Sequence, residues 1–109
     1  MVAEITDATF DTEVQTSKVP VLVDFWAPWC GPCRASAPHV ERLEKEMAGK
    51  VKVVKLNTDE NQSVAARFAI TGIPTFLVFQ PGNAAKPAST HVGYADFGKL
   101  SGLVKPFLG

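Results

Sequence analysis

One segment constrains the fold of this chain more than any other: an apolar run that leads directly into a turn with two cysteines. Residues 21–38 read VLVDFWAPWCGPCRASAP, and Cys30 and Cys33 are the only cysteines of the 109 residues. The run Val21–Trp26 is nearly all apolar, which is typical of a strand covered on both faces in the middle of a sheet. Pro32 favours the first turn of a helix, where its missing N–H leaves no bond unmade. The segment predicts a central strand, a cysteine turn and a helix, in that order.

The rest of the chain predicts further helices and strands from apolar periodicity and turn residues. Two strands joined by a helix of this length imply a parallel pair with a right-handed crossover. A Pro-Gly-Asn turn after the third strand predicts a hairpin. The predicted elements are a helix around Phe10 and Val14 with N-cap chemistry from Thr6 or Asp7, a helix from about Pro32 to Met47, a strand at Val51–Leu56, a helix from about Asn61 to Ala69, a strand at Thr75–Phe79, a hairpin strand within Lys86–Val92, and a C-terminal helix that buries Phe97, Leu100, Val104 and Phe107.

Several predictions concern burial and element ends. Pro87 lacks an N–H donor, so the hairpin strand that contains it belongs at a sheet edge. Gly98 and Gly102 are poor helix formers, so packing must hold the last helix, which we expect to fray at Pro106. The helix after the cysteines is predicted to bury Ala37, Val40, Leu43 and Met47.

Length and charge exclude several classes of function. A chain of 109 residues is the size of one compact domain, so we expect a single domain spanning residues 1–109. Its 11 basic and 11 acidic residues cancel, which leaves no basic field for nucleic acid and no polybasic membrane patch. The opening MVAEITDATF lacks the apolar run of a signal peptide, and no stretch matches the ~20 apolar residues of a membrane span. A cytoplasmic location is expected, although an exported form with its leader removed would read the same.

The cysteine pair has the spacing of a reversible disulfide. At the start of a helix, residues three apart have Cβ atoms roughly 5 to 6 Å from each other, so the bond forms with little backbone movement. Gly31 removes a side chain beside the sulfurs, and Pro32 stiffens the turn. Cys30 faces the unpaired N–H groups and positive dipole of the helix start, which favour its thiolate. We predict that Cys30 attacks and that Cys33, further in and less exposed, resolves.

Two other interpretations of the cysteines are a static disulfide and a metal site. So short a loop removes little chain entropy, which argues against a purely structural bond. A structural zinc needs four ligands, and beyond the cysteines the chain has only His39 and His91. His39 lies six residues after Cys33, on the opposite helix face. We predict no metal and expect both histidines to be exposed.

Asp24 places a carboxylate inside the apolar strand, on the face shared by Leu22 and Trp26. Burial disfavours its charged form and should raise its pKa. It is a candidate general base that takes the proton from Cys33, directly or through water. A paired, purely structural aspartate is the alternative.

The segments VLVDFWAPWCGPC, VKLNTDEN, GIPTFLVF and a later VG, in this order, cover nearly the whole chain and resemble the thioredoxin family. The combination of WCGPC with a downstream GIPT is highly specific. The resemblance implies an α/β fold, with a mixed five-stranded sheet flanked by four helices. It also implies a redox-active disulfide without a bound cofactor, electrons from NADPH through a thioredoxin reductase, disulfide-containing proteins as substrates, and a monomer.

The resemblance also implies roles for residues outside the cysteine turn. It places a buried acid with a base role at Asp24 and a lysine that tunes its charge at Lys55, which from sequence alone could equally extend from a strand end to solvent. It implies a cis Ile73–Pro74 bond, where sequence alone would predict trans. An apolar docking surface is implied at Trp29, Gly31, Pro32, Ile73, Pro74, Val92 and Gly93.

Some features leave alternatives open. Trp29 alone is equally consistent with packing, whereas Trp26 is expected to support the core. Pro28, Arg34 and Tyr94 depart from the common pattern of the family, which affects charge near Cys30 and partner choice. A binding or assembly subunit with the same fold, or an exported oxidant or isomerase, is the alternative function. The Gly-Pro pair between the cysteines favours reduction.

Overall fold

The fold is built on a mixed sheet covered by helices on both faces. The computed structural model describes residues 2–108, so the two ends of the predicted domain 1–109 lie outside the described residues. Within that part of the chain there are five strands and four α-helices. They are β1 (Ala3–Glu4), α1 (Phe10–Gln15), β2 (Val21–Trp26), α2 (Gly31–Glu46), β3 (Lys52–Asn57), α3 (Gln62–Arg67), β4 (Thr75–Phe79), β5 (Ser89–Val92) and α4 (Phe97–Val104), followed by a 3₁₀ turn at Lys105–Phe107.

The sheet order is β1-β3-β2-β4-β5, which places β2 in the centre as predicted. β2 is parallel to β3, which follows it through α2, and antiparallel to β4. β4 and β5 form the predicted hairpin, with β5 at the edge. This is the mixed five-stranded sheet that the resemblance implied. It brings the cysteine turn to the end of the central strand.

Alternation along β2 divides the core into two layers. Val21, Val23 and Phe25 point into a cluster with α1 and α3, in which the rings of Phe10 and Phe79 lie 5.6 Å apart. The opposite layer packs α2 and α4 on the sheet. Its fully or largely buried members are Val2, Leu22, Val40, Leu43, Val51, Val53, Phe76, Val78, Ala95, Leu100 and Val104.

The predicted N-cap chemistry at the first helix is supplied by Thr6 and not by Asp7. Thr9 occupies the N-cap position of α1, and its backbone N–H donates to Oγ1 of Thr6 (3.3 Å) in the turn that leads into the helix. Asp7 instead caps α3, because its carboxylate accepts hydrogen bonds from the backbone N–H of Ser63 (3.1 Å) and Val64 (2.9 Å). The Asn61 side chain accepts the N–H of Asp7 in return (2.9 Å). The N-terminal loop is thus fastened to a helix more than 50 residues away.

The buried face of α2 also differs from the prediction. Val40 and Leu43 are buried as expected and Met47 is half-buried, but Ala37 is exposed. Ser36 takes the inward position instead, and its hydroxyl accepts a hydrogen bond from the N–H of Ala95 (3.1 Å). That bond satisfies a polar group that would otherwise be costly to bury.

Three details near the C-terminus correct the sequence predictions. Pro87 precedes β5 and does not lie within it. The last helix does not fray at Pro106 but continues as the 3₁₀ turn, in which proline is tolerated near the start. Leu100 is buried as predicted, and so is Val104, whereas Phe97 and Phe107 are half-buried.

Candidate functional site

The two cysteines lie where the central strand meets the long helix. Cys30 is the N-cap residue of α2, and Cys33 lies in its first turn. Their sulfurs are at disulfide distance, with Cα atoms 5.2 Å apart. The backbone N–H of Cys33 points at Sγ of Cys30, 3.2 Å away. A helix N-terminus therefore faces the Cys30 sulfur, as the spacing predicted.

The predicted difference in exposure between the cysteines is wrong, because each is only 4% exposed. Both pack with Ala27, and Trp26 and Ile73 lie against that cluster. In the disulfide the two cysteine residues are therefore buried to the same extent.

A second loop approaches the sulfurs from β4. The Ile73–Pro74 peptide bond is cis, as the resemblance implied. The carbonyl oxygen of Ile73 lies 3.7 Å from Sγ of Cys30. The N–H of Gly93 donates to the carbonyl of Pro74 at 2.8 Å, so the segment after β5 borders the same place. The chain thus assembles the disulfide site from three separate segments.

Exposed apolar side chains are concentrated in these segments. In the described part of the chain, the large hydrophobic residues that stand out to solvent are Trp29 (67% exposed), Val92 (60%) and Tyr94 (50%). A core-packing role for Trp29 is therefore wrong. Its indole Nε1 donates to both carboxylate oxygens of Asp59, at 3.0 and 3.1 Å.

The other residues of the predicted docking surface differ in exposure. Gly31 and Pro32 are exposed, Ile73 and Gly93 are half-buried, and Pro74 is buried. Gly93 has a φ of +102°, a backbone conformation that favours glycine. Pro74 therefore shapes the site through its backbone carbonyl rather than through a free side chain.

Asp24 is buried beneath the site and is 5% exposed. Its Oδ1 has no hydrogen-bond partner among residues 2–108. Burial raises the pKa of the Asp24 carboxyl to about 7, while the charge of Lys55 opposes the rise and that of Glu4 adds to it. A carboxyl that titrates near neutral pH can both accept and release a proton under physiological conditions.

A small cleft connects this carboxyl with the disulfide. Its volume is about 90 Å³, and Asp24, Cys33 and Ala37 are among the residues that line it. A space of this volume has room for water, and the Asp24 carboxyl that lines it offers a hydrogen-bond acceptor. The small, outward-facing side chain of Ala37 leaves this space open. The residue that the sequence placed in the core thus lines the path between acid and thiol.

Lys55 is the direct neighbour of Asp24 across the β2–β3 pair. Its Nζ lies 4.8 Å from the centre of the Trp26 ring and 3.8 Å from the Glu4 carboxylate. The lysine therefore lies beside the buried acid while its amine reaches the partly exposed edge of the sheet. Trp26 is half-buried and packs against the cysteine cluster, in agreement with a supporting role.

Comparison with known proteins agrees with this geometry. The thioredoxin family model matches residues 1–104. The chain belongs to the thioredoxin family. Thioredoxin 1 of Nostoc sp. is 58% identical over 80 residues, which cover 73% of this chain and 75% of the relative. The thioredoxin of Haemophilus influenzae is 48% identical over 103 residues, which cover 94% of each chain.

As a member of the thioredoxin family, the chain is a thiol–disulfide oxidoreductase of the protein-disulfide reductase class. The redox-active disulfide is the Cys30–Cys33 pair. The function predicted from the sequence is confirmed. The static-disulfide interpretation and that of a binding subunit without redox activity are set aside.

Tyr94 brings together residues of this thioredoxin that the sequence analysis had treated as separate. Its hydroxyl lies 3.2 Å from Nε2 of His39, and its carbonyl oxygen lies 3.1 Å from Nε2 of His91. Both histidines are half-buried, so the expectation that they are exposed is wrong. A large aromatic residue directly after the Val-Gly pair was the sequence signal. The partners of its hydroxyl carried none, because they lie on other elements.

Asp59 and Glu4 are the other two residues that the sequence analysis did not select. Asp59 orients Trp29, and Glu4 pairs with Lys55. Neither residue is part of a periodic hydrophobic pattern or of a motif with a characteristic spacing. Only the folded sheet and its loops bring them to the thioredoxin site.

Residues 2–108 contain no group of three or more His, Cys, Asp or Glu side chains placed to hold a metal ion. None of the helices in this part of the chain is long and apolar enough to span a bilayer.

Proposed function

We propose that this protein is a general reductant of protein disulfides in which Cys30 is the attacking cysteine and Cys33 the resolving one. The observation that carries this assignment is the N–H of Cys33, 3.2 Å from the Cys30 sulfur. In the reduced protein, this donor and the positive end of the α2 dipole stabilise a thiolate at Cys30. The thiolate is the form of cysteine that attacks disulfides.

The first step exchanges one sulfur–sulfur bond for another. The Cys30 thiolate attacks a sulfur of the substrate disulfide, a bond forms between Cys30 and that sulfur, and the other substrate sulfur leaves as a thiolate. The substrate remains attached through a mixed disulfide. The carbonyl of Ile73, 3.7 Å from Sγ of Cys30, lies where the attached segment must pass.

The second step requires Cys33 to lose a proton. Asp24 is the proposed general base, and it receives the proton through water in the cleft that both residues line. The Cys33 thiolate then attacks Cys30, the Cys30–Cys33 disulfide forms, and the second substrate sulfur leaves. The two released substrate thiolates take up one proton from Asp24 and one from solvent, to which Cys30 had lost its own, so the substrate gains two electrons and two protons in all. Lys55 has the supporting role of adjusting the charge on Asp24.

The proposed docking surface surrounds the sulfurs. Exposed apolar groups near the Cys30–Cys33 pair favour an extended segment of a protein disulfide, whose backbone can pair with the exposed backbone before β4. The surface consists of Trp29, Gly31, Pro32, Ile73, Pro74, Val92 and Gly93.

The oxidised protein needs two electrons to begin again. We propose NADPH as their source, delivered by a thioredoxin reductase. We further propose that the whole chain, residues 1–109, is one domain that acts as a monomer, because both faces of the sheet are covered by its own helices. A cytoplasmic location fits a dithiol kept reduced.

The test is NADPH consumption with a thioredoxin reductase and insulin as the protein disulfide. Wild type should turn over, and the Cys30→Ser and Cys33→Ser variants should not. Cys33→Ser should also accumulate a mixed disulfide through Cys30, since its resolving thiol is gone. The two roles would be reversed if Cys30→Ser accumulated a mixed disulfide through Cys33 and Cys33→Ser accumulated none through Cys30. Failure of wild type to turn over would contradict the reductase as electron source.

A further inference from the structure

Three charged side chains form a row across the sheet. In the β1–β3 pair Glu4 lies beside Lys55, and in the β2–β3 pair Asp24 lies beside the same Lys55. Registered neighbours in adjacent strands point to the same face. Lys55 therefore stands between two carboxylates, one buried and one at the edge of the sheet.

The lysine is paired with the outer carboxylate. Its Nζ lies 3.8 Å from Oε1 of Glu4, while Oδ1 of Asp24 has no hydrogen-bond partner in the described part of the chain. The side chains of Lys55 and Glu4 are 35% and 45% exposed. Water can still solvate this outer pair, whereas an ion pair with Asp24 would require both charges to be desolvated. The geometry therefore favours Glu4 as the partner of the lysine.

The other groups around Asp24 lie on α2, β4 and β5. From α2, Arg34 and Glu41 line the two clefts beside the carboxyl. The Arg34 guanidinium donates to the carbonyl of Pro28 at 2.8 Å, and Glu41 is exposed. On the opposite side, the neighbour in β4 is the apolar Phe76, against which the His91 ring of β5 stacks.

Two of the charged groups around the carboxyl affect it directly. Burial raises the pKa of Asp24, Lys55 lowers it and Glu4 raises it. Burial also raises the pKa of Glu4 itself, against the effect of Lys55.

We propose that Glu4 is a positioning residue for the resolving step, which holds Lys55 at the β1 edge and so keeps Asp24 able to take up the Cys33 proton near neutral pH. The inference rests on the proposed role of Asp24 as base. If Lys55 turned inward instead, its charge would favour the ionised carboxylate and make it a weaker base. Glu4 acts through Lys55 and through its own charge, without touching the reacting sulfurs.

The test is Glu4→Gln, which keeps the size of the side chain and removes its charge. The Asp24 carboxyl is followed by ¹³C NMR in the oxidised protein, where the cysteines do not titrate. Its titration midpoint in Glu4→Gln should be lower than in wild type by roughly one pH unit, which is the low end of the effect of a nearby opposite charge. The pH at which mixed-disulfide release reaches half its maximal rate should fall by a similar amount in single-turnover measurements.

Glu13→Gln is the matched control. Glu13 pairs with Lys52, on the same strand as Lys55, at 2.9 Å, but Lys52 lies beside Val21 rather than Asp24. Removing the charge of Glu13 should leave unchanged both the titration midpoint of Asp24 and the pH midpoint of mixed-disulfide release. Equal shifts in Glu4→Gln and Glu13→Gln would mean that the effect comes from the net charge of the protein, and would overturn the role of Glu4.

The two readouts separate the failure of this inference from the failure of the base assignment. An unchanged Asp24 midpoint in Glu4→Gln would overturn the role of Glu4 and leave Asp24 as the base. A lowered Asp24 midpoint with an unchanged pH dependence of mixed-disulfide release would overturn Asp24 as the base. The role of Glu4 in the resolving step would then be overturned as well.

Discussion

The hydroxyl of Tyr94 lies 3.2 Å from Nε2 of His39, which joins the loop after β5 to helix α2 beside the disulfide site. The two rings meet edge to face, with their centres 6.0 Å apart. The Tyr94 carbonyl lies 3.1 Å from the His91 ring nitrogen. Tyr94 is therefore held both at its side-chain hydroxyl and at its backbone carbonyl. Tyr94 therefore presents a rigid aromatic ring next to Val92 and Gly93, where we propose that substrates dock. A preorganised ring loses less conformational entropy on binding than a mobile one.

Replacing Tyr94 by alanine should weaken the reaction with protein disulfides. The loss of one aromatic contact of about 1 kcal/mol corresponds to a roughly fivefold lower kcat/KM with insulin. A small disulfide such as cystine should react at the wild-type rate, because it covers too little of the surface. Tyr94→Phe, which removes only the bond to His39, should show an intermediate loss. Equal losses for insulin and cystine would indicate a change at the sulfurs and contradict a docking role.

The second exposed aromatic ring, Trp29, is held by Asp59, and this contact predicts its mobility. Asp59→Ala removes both acceptors of the indole N–H, which lie at 3.0 and 3.1 Å. Time-resolved fluorescence anisotropy in a Trp26→Phe background should then report faster motion of Trp29. We expect kcat/KM for insulin to fall about two- to fivefold, a loss of up to about 1 kcal/mol. Unchanged anisotropy would show that Asp59 does not hold the ring.

The buried Asp24 predicts a pH-dependent stability. Its pKa rises from 3.8 in the unfolded chain to about 7 in the fold. A carboxyl with a raised pKa stabilises the fold fully below the unfolded pKa, and this contribution is lost as pH increases towards 7. Asparagine has a similar shape and does not titrate. The advantage of Asp24→Asn should therefore grow from pH 4 to pH 8, by up to about 4 kcal/mol.

Urea denaturation of the two oxidised proteins at several pH values measures this difference. Comparison of wild type with a single variant cancels the pH dependence of all other groups. The difference in free energy of unfolding should level off above pH 8, once Asp24 is ionised in both states. A difference that stays constant between pH 4 and pH 8 would mean that the folded carboxyl titrates as it does in the unfolded chain.

The central part of the site could be predicted from sequence because its signals are local. An apolar run and a proline after the first cysteine determine the path from β2 through Cys30 into α2 without reference to distant residues. The burial of Asp24 follows from its position within such a run. Each of these features depends on neighbours within a few residues, and the structure bears out their placement.

The parts that could not be predicted depend on contacts between distant segments. Ser36 is buried where Ala37 had been expected, and its hydroxyl accepts the N–H of Ala95, which lies 59 residues further along the chain. Glu4 meets Lys55 through strand register, and a two-residue strand such as β1 has no period to detect. Hydrophobic periodicity reports which face is apolar, but it does not identify the partner of a polar group.

The cap of α3 by Asp7 is another contact between distant segments, and it predicts a loss of stability when the carboxylate is removed. Asp7→Ala removes the acceptor of two backbone N–H groups, those of Ser63 and Val64, and should lower the free energy of unfolding by about 1 to 2 kcal/mol. The change is measured by urea denaturation. Asp11→Ala is the matched control, because it also removes a carboxylate that contacts α3. The contact it removes is an exposed ion pair with Arg67, so this substitution should have little effect on stability. Equal stability of wild type and Asp7→Ala would show that the cap contributes nothing, and a loss confined to Asp11→Ala would assign the anchoring of α3 to the ion pair instead.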